Sequence, residues 1–211
     1  MRTMSKPFNL LYVPVLHTHR ESEDIVFLLK ANGAGEHADK PGDEHDKSVR
    51  DMWEGIYKKI QETQVVFSSM RIYQDAMPVC GMEKELVSKL AEKGSRNHQL
   101  ILDLLNKGAR IEGTEDQQLL IKEYDCLTRF IASAHDRTAA LEQYKAESPE
   151  LMKQRDVFIA GRIKSTLQDG EVPLVFMGMR HGLEELLKDD FIITYIIYRL
   201  PFRKIGDIYN I

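Results

Sequence analysis

The segment most restrictive of the fold is residues 8–16, FNLLYVPVL, which is apolar at nearly every position. A run of this length without polar alternation is the pattern of a strand buried on both faces, as in a parallel sheet covered by helices. Pro14 gives no N–H to a ladder and predicts that the strand ends there. Further apolar runs recur at 65–74 (the stronger half being 70–73), 109–111, 172–177 and 191–200. Between them lie segments with helical apolar spacing, at 47–63, 83–92, 96–106 and 117–145. A helix at 21–31 is predicted as well. Ser148–Pro149 predicts the start of another, running to about 168, with serine as N-cap and proline in the first turn. Gly94 and Gly108 stand where helices would stop, and residues 182–188 form a last short helix.

Strands alternating with helices predict an α/β fold, with a mostly parallel central sheet of five or more strands flanked by helices. Five are too few for an eight-stranded barrel. The 211 residues fit a single α/β domain, 1–211, with one long polar loop at 32–46, NGAGEHADKPGDEHD. That loop is expected to be mobile or to act as a flap.

Composition narrows the function. Lys plus Arg total 29 and Asp plus Glu 33, a net charge of −4, which lacks the cationic excess of a nucleic-acid binder. No apolar run is long enough for a membrane-spanning helix, and residues 1–8 lack the apolar core of a signal peptide. The two cysteines, Cys80 and Cys126, have no metal-ligand spacing. The expectation is a cytoplasmic protein with a small-molecule or peptide substrate, without nucleic-acid or membrane partners, and compatible with a homo-oligomer.

Ligands of open α/β sheets sit outside the carboxyl ends of the strands. His17 and His19 follow the first strand, Asp75 the second, Glu112, Glu115 and Asp116 the third, and Arg180 and His181 the fourth. In an extended segment His17 and His19 lie on one side, so both could reach one metal ion. Asp75 could equally cap a turn before Pro78, and Asp116 stands at a natural N-cap position. Arg155 and Arg162 share one face of a predicted helix, with Ile159 and Ile163 beside them. A guanidinium there could hold a carboxylate or phosphate, or pair with a neighbouring acid such as Asp156. His181 lies in FMGMRHGL, a glycine-flanked strand-to-helix loop that brings backbone close to a ligand. His37 and His45 in the polar loop, and His98 and His135 in predicted helices, are expected at the surface.

RDVFIAGRI (155–163), Gly170 and PLVFMGMRHGLEEL (173–186) together resemble the end of the TraB/PrgY–Tiki group of the erythromycin-esterase/ChaN-like superfamily. LHTH (16–19), IYQDAMP (72–78) and GARIEGTED (108–116) follow in the order of that group's earlier motifs. The resemblance implies an α/β fold of two related halves with a site between them. It also implies His17, Asp75, Glu115, Arg155 and His181 as site positions. Some members are metal-dependent peptidases, and others hydrolyse esters or bind haem-like ligands. The sequence departs from the group in lacking a glycine ahead of the first histidine and in carrying aspartate where glutamate is usual. LHTH is also similar to the opening metal motif of the polymerase-and-histidinol-phosphatase phosphoesterases, but the distorted barrel of that family needs more strands than the apolar runs supply.

The expected function is a hydrolase of ester or amide bonds, using a divalent metal ion held by His17, His19 and His181. Asp75, Glu115, Arg155 and His181 would be its catalytic groups. The alternatives are a non-catalytic binding or regulatory module that takes an anionic ligand in the same cleft, and a metal-dependent phosphoesterase.

Overall fold

The computed structural model describes residues 8–15, 43–133 and 137–198, with side chains from Arg50 onward in the first helix. The chain order is β1 (Phe8–Val15), α1 (Asp43–Glu62), a 3₁₀ turn (Phe67–Ser69), β2 (Met70–Gln74), α2 (Glu83–Glu92) and α3 (Arg96–Asn106). There follow β3 (Arg110–Glu112), α4 (Gln117–Ala132), α5 (Arg137–Thr166), β4 (Val172–Gly178), α6 (Leu183–Leu187) and β5 (Phe191–Tyr195). The strands form one five-stranded sheet in the order β3-β2-β4-β1-β5. Every pairing between them is parallel. This is the α/β architecture that the apolar runs predict.

Because side chains alternate along a strand, each central strand feeds two cores. Leu11, Val13 and Val15 of β1, with Leu174 and Phe176 of β4, pack against α1, α2 and α3 on one face. Leu10 and Tyr12, with Tyr73, Val175 and Met177, pack against Ile159, Ala160 and Ile163 of α5 and Leu183 and Leu187 of α6 on the other. Connections that move towards β3 therefore cross one face, and those that return towards β5 cross the opposite face. The chain leaves β2 and β4, which are neighbours, in opposite directions. Diverging loops of this kind open a crevice at the carboxyl edge of the sheet, where ligands of such folds bind.

Gly94 and Gly108 end α2 and α3 as expected, both with positive φ, at 96° and 102°. Ser95 N–H reaches Leu90 O at 3.1 Å and Gly94 N–H reaches Ala91 O at 3.0 Å. Ala109 and Gly108 make the same pair of bonds to Leu104 and Leu105. Both ends are the double-bonded αL cap that glycine accommodates without steric cost.

Several boundaries differ from expectation. Helix α1 starts at Asp43, so residues 43–46 of the expected loop are helical, while residues 32–42 lie outside the described residues. So do the helix expected at 21–31 and His37 and His135; His45 lies in α1, but its side chain is not among those described. The helix expected over 117–145 is instead two, α4 ending at Ala132 and α5 beginning at Arg137. Pro149, expected to open a helix, lies inside α5. Proline there removes the N–H that would bond the carbonyl of Lys145, but Lys145 is solvent-facing, so water can take that carbonyl. Ser148 is buried and accepts a hydrogen bond from Arg180 Nη2 at 2.9 Å rather than capping a helix. Strand β5 stops at Tyr195, short of 200. His98 is not a surface residue: it is 1% exposed, with Nδ1 2.8 Å from Ser95 Oγ.

Cys80 and Cys126 are both free thiols. Among the described residues no helix is long and apolar enough to cross a membrane.

Candidate functional site

Asp75 follows directly on β2 and lies on the same face as Tyr73, the face covered by α5. Its Oδ2 accepts from Gly178 N–H at 2.9 Å, at the end of β4. Its own N–H donates to Phe176 O at 2.8 Å, so β2 stays joined to β4 one residue past its end.

Glu115 is placed by an extension of the β2–β3 pairing. Thr114 and Glu115 N–H groups both donate to Met77 O, at 2.9 and 3.0 Å, and Glu115 O accepts from Val79 N–H at 2.9 Å. Gly113 makes this approach feasible, because a Cβ there would come 2.6 Å from Val79 Cα. Glu115 is fully buried, and its Oε1 accepts from Ala76 N–H at 3.2 Å. Ala76 itself has φ of 59°, a left-handed conformation unusual for a residue with a Cβ and held here beside the site. Asp116 caps α4, accepting from Gln118 and Leu119 N–H at 2.8 and 3.0 Å, and takes no part in the crevice.

Arg155 reaches from α5 to both acids. Nη2 lies 2.8 Å from Asp75 Oδ1 and 2.5 Å from Glu115 Oε1, and Nε lies 2.9 Å from Glu115 Oε2. Its Nη1 also bonds Glu123 of α4. Burial works to lower its pKa, but Glu115, Asp75 and Glu123 together hold it above the ordinary arginine value. Burial raises Glu115; Arg155 opposes that rise and Asp75 adds to it. Arg162, two turns further along the same face of α5, has other partners and donates to Gly113 O at 3.0 Å and to Glu112.

His181 closes the cluster from the loop after β4. Its Nε2 is 3.3 Å from Asp75 Oδ1 and its Nδ1 is 2.5 Å from Asp156 Oδ1. Burial disfavours the charged ring, but Asp156 and then Asp75 reverse this and push the pKa up to about 9. The ring is therefore an imidazolium at neutral pH, donating from both nitrogens.

Asp75, Glu115, Arg155 and His181, predicted from their places in the sequence, thus meet in one buried cluster. His17 and His19 lie outside the described residues. Asp156 and Glu123 were not foreseen as site residues. Asp156 was read only as an ion partner for Arg155, yet adjacent helical positions point about 100° apart and so reach different partners. A usable signal was present: Asp156 lies four residues before Ala160 and seven before Ile163, on the buried stripe of α5.

Asp75, Glu115 and His181 form a group that could hold a metal ion, each offering one ligand atom within 4.8 Å of the others. Two carboxylates and an imidazole suit a divalent cation. In the arrangement seen, the carboxylates of Asp75 and Glu115 already bond Arg155, and His181 Nε2 faces Asp75. A metal ion would have to displace the guanidinium from Glu115 and a proton from His181.

In comparisons with known proteins, no family model, no curated protein and no solved structure matches this chain.

Proposed function

We propose that the crevice between β2 and β4 is a hydrolytic site acting on an ester or amide bond of a small or peptide substrate. The observation that carries this is His181, buried between two carboxylates at the carboxyl edge of the sheet. A protonated imidazole there can give its Nε2 proton to a departing alkoxide or amine. Asp75, facing that nitrogen, holds the charged ring before the transfer, and a proton from solvent restores the ring after the product leaves. Arg155 is fixed by three acids and presents a preorganised positive charge where an oxyanion would develop. Glu115, raised by burial, can take the proton of an attacking water. Should Asp75, Glu115 and His181 hold a divalent ion, that ion would supply an acidified water and a Lewis acid. The resemblance to the TraB/PrgY–Tiki group supports the same chemistry.

A second reading is a non-catalytic module that binds a small ligand in this crevice. It is favoured by the mutual saturation of the cluster, in which each charged group already has a charged partner.

One experiment separates the two. The purified protein is assayed for metal content, then for turnover of a panel of esters, peptides and phosphate esters, with chelator and with added Mn²⁺ or Zn²⁺. Turnover that is lost in both His181→Gln and Asp75→Asn supports hydrolysis at this crevice. No turnover under any condition would sink the hydrolase reading, and turnover that survives both substitutions would place the chemistry elsewhere.

A further inference from the structure

Two acids grip the turn after β4 from opposite sides. Asp75 on the β2 side divides its oxygens between the Gly178 N–H at 2.9 Å and the ring of His181 at 3.3 Å. Asp156 on α5 does the same at the far end of the turn. Its Oδ2 accepts from Gly182 N–H at 2.9 Å and its Oδ1 faces His181 Nδ1 at 2.5 Å. The turn itself is closed by His181 N–H bonding Gly178 O at 3.1 Å.

Asp156 is 7% exposed, and an acid so buried would ordinarily sit opposite an arginine or lysine. The neighbouring Arg155 turns to Asp75 and Glu115 instead. Among the described residues, the hydrogen-bond partners of Asp156 are the ring of His181 and the amide that follows it. An imidazole can rotate by half a turn about its Cβ–Cγ bond with little change of shape, and only hydrogen bonds distinguish the two orientations. A bond to Nδ1 selects the orientation in which Nε2 faces Asp75. Because the second oxygen holds the Gly182 backbone, ring and loop are fixed to α5 as one unit.

We propose that Asp156 is the positioning residue of His181, setting the ring orientation that aims Nε2 into the crevice. This rests on the hydrolytic reading for its consequence, but its physical content is independent of any substrate. Partners of this kind, one shell behind a reacting imidazole, commonly change activity by about 10- to 100-fold when removed.

The test uses the full chain and the His181 ring as its own reporter. Long-range ¹H–¹⁵N spectra are recorded for wild type, Asp156→Ala and Asp156→Asn, with backbone amides away from the turn as the control for folding. Wild type should show one set of ring signals with a strongly downfield Nδ1 proton. Asp156→Ala should lose that proton and shift the Gly182 amide. Asp156→Asn has the same shape and one acceptor oxygen fewer, so it should disturb one of the two bonds and carries the comparison if the alanine variant does not fold. Ring and Gly182 signals identical to wild type in the folded variant would overturn the proposal. If a substrate is found, kcat should fall about 10- to 100-fold with KM little changed, and an unchanged kcat would overturn it too. Altered ring signals in a protein that hydrolyses nothing would keep the positioning role and defeat only the hydrolytic reading.

Discussion

Arg155 Nη2 lies 2.8 Å from Asp75 Oδ1, although 80 residues separate them in sequence. The same guanidinium holds Glu115 and Glu123, so one side chain of α5 ties together the ends of β2 and β3 and the helix α4. Arg155 and Asp75 are each about 95% buried at the side chain, and at such depth an unpaired charge is costly.

Replacing Arg155 with methionine should therefore be severe. It removes the guanidinium shared by Asp75, Glu115 and Glu123, and removal of one partner of a buried ion pair costs about 3–5 kcal/mol. In a chain of this size each kcal/mol lowers Tm by about 2–4 °C. Adding Glu115→Gln to Arg155→Met should recover part of the loss, because one unpaired charge disappears. Thermal melting of the two single variants and the double variant checks this; an additive double variant would contradict the coupling.

The same substitution should change how the protein responds to metal ions. With the guanidinium gone, Asp75 and Glu115 lose the cation they share, and a divalent ion can compete for its place. Mn²⁺ or Zn²⁺ should raise the Tm of Arg155→Met by more than it raises that of wild type. Equal shifts in the two proteins would mean that Arg155 does not compete for those ligands.

Stability should depend on pH through His181. Its folded-state pKa, about 9, lies above the ordinary value of 6.5. The stabilisation from its two carboxylate partners is thus complete below about 6.5 and is lost as pH rises through about 9. Tm measured between these limits should fall in wild type and fall less in His181→Gln, and parallel curves would refute the assignment. His181→Gln should also be less stable than wild type at neutral pH, by about 1–3 kcal/mol, since the ring is buried and bonded at both nitrogens.

The two residues either side of Thr114 and Glu115 should behave differently. A Cβ on Gly113 would lie 2.6 Å from Val79 Cα and 2.9 Å from Pro78 O. Gly113→Ala should cost about 1–3 kcal/mol of overpacking strain and displace Glu115 with it. Asp116→Ala removes only the cap of α4, for about 1 kcal/mol, and should leave the crevice unchanged. Melting curves, together with the ring signals of His181, distinguish them: the first substitution should move both readouts, the second only Tm.

The sequence by itself determined the elements whose causes are local. The apolar runs marked all five strands, and α2 and α3 were legible to the residue because Gly94 and Gly108 end each with a positive φ. It also determined that Asp75, Glu115 and His181 follow strands, which in a parallel sheet brings them to one edge. The tertiary structure alone decided what those residues do there. Strand order placed β4 between β2 and β1, and so set the His181 loop beside Asp75. The rotation of α5 about its axis turned Arg155 towards Asp75 and Glu115, and Asp156 towards His181, although the two are adjacent in the chain. Likewise Ser148 and Pro149, a sound local signal for a helix start, were absorbed into α5 by burial and by Arg180. Periodicity and capping act over a few residues and can be read from them. Which acid meets which cation depends on burial between segments far apart in sequence, and no local pattern carries that information.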